Sequence, residues 1–147
     1  MVNLGKILLV EDDPNDVELT LMALDASRLA NEVVVARDGE EALDYLYYRG
    51  TYASREVGNS SVVLLDLKLP KVDGLEVLKQ VKADPDLKKV PIVILTSSHE
   101  EQDLVRSYDS GVNAYVMKPV GFESFVDVVK EVGLFWGVVN QPPPGGA

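Results

Sequence analysis

Five short apolar runs, at roughly residues 6–10, 32–36, 62–66, 91–95 and 114–117, are dominated by Val, Ile and Leu with almost no polar interruption. Unbroken runs of that length mark strands covered on both faces, as in a parallel sheet packed between helices. Segments with helical spacing follow them. Asp13 is placed to cap the first and Pro14 suits its first turn, with Val17, Leu21 and Leu24 on one face. Asp38 caps a second, carrying Ala42, Leu43, Leu46 and Tyr47. Leu75, Leu78 and Val81 form a third stripe, stopped at Asp84-Pro85, and Leu104, Val105 and Tyr108 a fourth, ended by Gly111. Five strand–helix units in succession predict a doubly wound α/β fold on a five-stranded parallel sheet.

Two stretches break the rhythm. Arg49 to Ser61 carries Gly50, Ser54, Gly58, Asn59, Ser60 and Ser61, and is expected to be a mobile, peripheral loop. The end of the chain, 137–147, reads as an extension whose last residues, Gln141 to Ala147, hold three prolines and two glycines and cannot continue a helix. The expected organisation is one domain over 1–147 with a core at about 5–135.

Four of the five runs deliver a distinct polar group at the C-terminal end of the strand. Ile7-Leu8-Leu9-Val10 leads into Glu11-Asp12-Asp13, Val62-Val63-Leu64-Leu65 into Asp66, Ile92-Val93-Ile94-Leu95 into Thr96-Ser97, and Tyr115-Val116-Met117 into Lys118-Pro119. Any one of these has an ordinary explanation: a capping aspartate, a turn threonine, a solvated lysine. Together, at equivalent positions on strands of one sheet, they converge on the edge where open α/β folds place their ligands. Acid pair, lone acid, hydroxyl and lysine are what phosphoryl transfer to a carboxylate requires. Asp66 is the candidate nucleophile, Glu11 and Asp12 suit a divalent cation such as Mg²⁺, and Thr96 and Lys118 can meet the phosphoryl oxygens.

Composition narrows the alternatives. With no cysteine, thiolate metal sites, disulfides and cysteine nucleophiles are excluded, which suits a reducing cytoplasm. A formal net charge of −10 argues against nucleic acid as a direct partner. No secretion signal is visible, and no apolar stretch approaches the about 20 residues of a membrane span. His99, the sole histidine, reads as an exposed or capping residue with no second histidine to build a metal site.

The chain resembles the receiver domain of bacterial two-component response regulators over about residues 5–135. The resemblance rests on Ile7-Leu8-Leu9-Val10-Glu11-Asp12, on Leu64-Leu65-Asp66-Leu67-Lys68-Leu69-Pro70 with Asp73-Gly74, on Ile94-Leu95-Thr96-Ser97 and on Lys118-Pro119. It implies the flavodoxin-like receiver fold, with Asp66 accepting a phosphoryl group from a sensor histidine kinase in a phosphorelay. It further implies Mg²⁺ held by Asp12, Asp66 and the backbone carbonyl of Lys68, with Glu11 assisting through water. Thr96 would follow the phosphoryl oxygen, Lys118 would pair with it, and Tyr115 would swing inward as Thr96 moves. Pro70, Asp73 and Gly74 would shape the adjoining loop, while Lys68 and Ser98 would tune the lifetime of the acyl phosphate. The loop at 49–61, the Asp84-Pro85-Asp86-Leu87 turn and the Phe135-Trp136 ending resemble the small regulators that serve cyanobacterial phytochrome kinases. Output is then expected through protein contact, with no DNA-binding domain.

The fifth helical segment carries Phe122, Phe125, Val126, Val128, Val129, Val132, Phe135 and Trp136, a broader apolar surface than one buried stripe needs. A homodimer through that segment is the expectation, against Phe135 and Trp136 folding back over their own domain. Among other readings, a haloacid dehalogenase type phosphohydrolase wants a second aspartate where Lys68 stands. A flavin or nucleotide carrier lacks its glycine-rich loop after the first strand. A degenerate receiver serving only as a protein-binding scaffold would not need all five polar groups.

Overall fold

The computed structural model describes residues 6–26, 32–58, 60–97 and 114–118, together with Gly121, Glu123 and Asp127. Strands β1 (Ile7–Val10), β2 (Val33–Ala36), β3 (Val62–Asp66), β4 (Ile92–Thr96) and β5 (Ala114–Met117) form one parallel sheet in the order β2-β1-β3-β4-β5. The α-helices among the described residues are α1 (Pro14–Ala26), α2 (Gly39–Leu46) and α3 (Gly74–Ala83). The predicted doubly wound fold is the observed one.

Side-chain alternation along the strands divides the core into two layers. Ile7, Leu9, Leu64, Val93 and Leu95 point to the α1 side with Val17, Ala23 and Leu24. Leu8, Val10, Val63, Leu65 and Ile94 point the other way, onto Leu43 and Leu46 of α2 and Val77, Leu78 and Val81 of α3. Both faces of β1, β3 and β4 are therefore buried, which is why their sequences are uninterrupted. β2 departs from that expectation. It is an edge strand in which Val33, Val34 and Val35 are only half-buried.

The two expected caps are in place: Asp13 Oδ1 accepts from the Asn15 and Asp16 amides, and Asp38 caps α2 through Glu41 N. A third, not anticipated, is Asp73, which caps α3 through Glu76 N. Asp84 closes α3, its carboxylate accepting from the Asp86 and Leu87 amides.

The loop between α2 and β3 is peripheral, as expected, with most of its described residues exposed, but specific side-chain contacts tie it to α2. The Arg55 guanidinium lies 3.9 Å from the ring centroids of both Tyr45 and Tyr48. Its Nε donates to Tyr45 O at 2.7 Å, and its Nη1 to the carbonyls of Glu56 and Gly58. The Tyr48 hydroxyl accepts from Gly58 N at 2.8 Å. A short 3-10 turn, Gly50–Tyr52, brings Tyr52 edge-on to Tyr45, with ring centroids 5.1 Å apart. The loop is thus folded onto α2 by interactions no periodic pattern announces. Apart from Gly121, Glu123 and Asp127, the stretches read as the fourth and fifth helices, including His99, Phe122, Phe125, Val128, Val132, Phe135 and Trp136, and the 137–147 extension lie outside the described residues.

Candidate phosphorylation site

Strand register assembles the site. Val10 pairs with Leu65, so the next residues, Glu11 and Asp66, stand side by side at the C-terminal ends of β1 and β3. Asp66 pairs with Leu95, and Thr96 with Met117, which brings the hydroxyl and Lys118 to the same edge. The Lys118 amide donates to Thr96 O at 2.7 Å, locking the end of β5 to β4. The four strand ends read from the sequence as one site are brought together.

Gly74 has a specific part in this. A Cβ there would overlap the carbonyl of Asp66 and the Leu67 backbone, and its amide donates to Leu67 O at 2.8 Å. Any larger residue would push the start of α3 away from the strand end that carries Asp66.

At the centre is the Lys118 ammonium. It lies 3.0 Å from Glu11 Oε1, 3.1 Å from Asp16 Oδ2 and 3.2 Å from Asp66 Oδ2. Glu11 is fully buried, and the side chains of Asp66 and Lys118 are 5% and 13% exposed. Burial pushes the Glu11 carboxyl up to about 7, the Asp66 charge adds to this, and bonds from Lys118 and the Asp13 amide oppose it. Burial alone would lower Lys118. The hydrogen bond to Glu11 and the charges of Asp66 and Glu11 outweigh it and hold the ammonium above the ordinary lysine range.

Carboxylate oxygens of Glu11, Asp12 and Asp66 lie within 4.8 Å of one another. Asp12 is exposed and faces a cleft of about 400 Å³ shared with the Leu67–Pro70 loop. Both Glu11 oxygens are already engaged, Oε1 by Lys118 and Oε2 by the Asp13 amide at 3.2 Å. Both Asp66 oxygens are engaged as well, Oδ2 by Lys118 at 3.2 Å and Oδ1 by the Lys68 amide at 3.4 Å, which leaves Asp12 as the exposed member of the three. The oxygen-only donor set fits a hard divalent ion.

Thr96 is fully buried, and its hydroxyl meets Met117 Sδ at 3.1 Å. Tyr115 is half-buried against the α2–α3 layer of the core. Sequence reasoning missed two participants. Met117 carried no signal beyond its strand position. Asp16 sits in the first turn of α1, where an acid is expected anyway for the helix dipole.

The response regulator receiver domain family matches residues 7–130. The chain belongs to that family. It is 41% identical over 130 residues to the response regulator Rcp1 of Synechocystis, covering 88% of this chain and 87% of Rcp1. Among solved structures, the bacteriophytochrome response regulator RtBRR is 59% identical, with a TM-score of 0.89 over 98% of this chain and 87% of that one. The Mn(2+)-bound form of Rcp1 is 40% identical, with a TM-score of 0.70 over 89% of this chain and 91% of that one. The receiver is a signalling switch, and its acidic cluster is of the kind that takes a divalent metal. No helix among the described residues is long and apolar enough to cross a membrane.

Proposed function

We propose that this receiver is switched by phosphorylation of Asp66, the phosphoryl group coming from a sensor histidine kinase of the phytochrome type. The observation that carries the reading is the ring of groups around Asp66: Lys118 at 3.2 Å, Glu11 and Asp12 alongside, and Thr96 on the neighbouring strand. The kinase class is supported by the bacteriophytochrome regulator to which the chain is similar.

An Asp66 carboxylate oxygen attacks phosphorus, the bond from phosphorus to the donor histidine nitrogen breaks, and an acyl phosphate forms on Asp66. Lys118 meets the added negative charge, and the Thr96 hydroxyl leaves Met117 to donate to a phosphoryl oxygen. Tyr115 then moves inward. A bound Mg²⁺, held by Asp12, Asp66 and the Lys68 carbonyl with Glu11 assisting through water, supplies charge neutralisation. Phosphotransfer and dephosphorylation act on the protein's own Asp66 and not on outside substrates. The absence of cysteine suits action in a reducing cytoplasm.

The readout is protein contact. The sequence spacing of Phe122, Phe125, Val128, Val132, Phe135 and Trp136, with more apolar positions than one buried helical stripe needs, supports a homodimer, and the net charge of −10 disfavours nucleic acid. Sedimentation as a monomer at high micromolar concentration, with and without phosphorylation, would remove the dimer from this account.

The central test is intact-protein mass after incubation with acetyl phosphate and Mg²⁺. Wild type gains one phosphate and Asp66→Ala gains none. No addition to folded wild type would leave only a protein-binding scaffold.

A further inference from the structure

An ammonium has three N–H donors, and Lys118 meets three carboxylates at nearly equal distances: 3.0 Å to Glu11, 3.1 Å to Asp16 and 3.2 Å to Asp66. Glu11 and Asp66 belong to the strand ends. Asp16 comes from α1, and phosphoryl transfer as described gives it no task. Nor does capping occupy it, because the exposed amides of the first turn are taken by Asp13 Oδ1.

We propose that Asp16 is a positioning residue that competes with Asp66 for the Lys118 ammonium and so sets how tightly the site grips a phosphoryl group. The inference rests on Asp66 being the phosphoacceptor. A phosphoryl group there adds negative charge and acceptor oxygens, and the ammonium can turn to them only by giving up a partner. Glu11, with no exposure, would be left as a buried anion without its cation. Asp16, with its side chain 24% exposed, can return to water. Of the two partners that keep their own charge when Asp66 is acylated, Asp16 is therefore the one that yields. Its pull on Lys118 in the resting state is a standing tax on phosphoryl binding.

The probe is beryllium fluoride with Mg²⁺, a non-covalent stand-in for the phosphoryl group, titrated into the full chain and followed by ¹⁹F NMR. Asp16→Asn should bind it about two- to fivefold more tightly than wild type, the range expected for releasing a partly exposed ion pair. Asp16→Glu, which keeps the charge, should lie near wild type. In a Lys118→Gln background the effect of Asp16→Asn should vanish, separating competition for the lysine from general relief of negative charge. Should that background not fold, the Lys118 side-chain ¹⁵N resonance answers the same question, since Asp16→Asn must move it before any probe is added.

Tightening absent, reversed, or equally large without Lys118 would overturn the proposal, as would an unmoved resonance, while probe binding by wild type would leave Asp66 in its role. Failure of wild type to bind the probe, with Asp66→Ala no different, would instead bring down the phosphoacceptor reading itself.

Discussion

Two cations organise the described parts of this protein, and they are held by opposite means. Lys118 is surrounded by the carboxylates of Glu11, Asp16 and Asp66 at the ligand edge of the sheet. Arg55 is held by the faces of Tyr45 and Tyr48 and by the carbonyls of Tyr45, Glu56 and Gly58, in the loop before β3. A guanidinium is planar, stacks on rings and offers donors in a fixed fork, so its neutral partners define one geometry. An ammonium is a compact charge on a flexible stem, free to exchange one anion for another. The first arrangement leaves a cation ready to respond when the charge beside it changes. The second fastens a loop.

The largest difference should appear when each cation is removed. Lys118→Met leaves buried Glu11 and Asp66 facing each other, and removing one partner of a buried pair costs about 3–5 kcal/mol. Urea denaturation in chelator should show that loss, and added Mg²⁺ should recover part of it by neutralising the same carboxylates. A loss below about 1 kcal/mol would place this pair with exposed ion pairs and dissolve the contrast.

A pH profile gives the next largest effect. The Glu11 carboxyl is raised from 4.5 to about 7 in the folded protein. Between those values the folded state binds the proton more tightly than the unfolded state, so this group's stabilising contribution is full below pH 4.5 and lost as pH rises to about 7. The total is at most about 3 kcal/mol at 1.36 kcal/mol per pKa unit, measured without metal. Glu11→Gln should remove that part of the slope, whereas Arg55 variants should keep it.

The two cations also show what the chain discloses before it folds. Asp66, Thr96 and Lys118 were legible because each ends an apolar run, and parallel strands bring their ends to one edge whatever lies between. Glu11 was legible as an acid but not as the buried anchor of Lys118, since side-chain burial depends on which strand lies beside β1. Asp16 was hidden by its setting: an acid in the first turn of a helix has a sufficient local reason to exist. Arg55 was hidden more thoroughly. Its rings lie ten and seven residues earlier in the chain, Tyr45 within α2 and Tyr48 beyond its end at φ +58°, and no helical or strand period links the three. Glycines and serines around it spelled a loop, and composition alone does not reveal a loop's tertiary contacts. Phe122, Phe125, Val128, Val132, Phe135 and Trp136 of the fifth helical segment lie outside the described residues, and the dimer read from them stands as a proposal.

The smallest expected effect completes the contrast. Arg55→Lys keeps the charge but loses the planar fork and the double stacking, and should cost about 1–2 kcal/mol, close to Arg55→Ala. Limited proteolysis should then cut within residues 49–58 much faster than in wild type, because Tyr48, Gly58 and Arg55 tie that segment together. Beryllium fluoride affinity should not change, since the partners of Arg55 are uncharged and its loop precedes β3, at the end of that strand opposite Asp66. If the Arg55→Lys variant resisted cleavage as well as wild type does, charge would be what holds the loop, and the two cations would differ in partners but not in kind. If affinity for the probe fell, the loop would be coupled to the phosphorylation site through β3, and fastening and switching would be parts of one device.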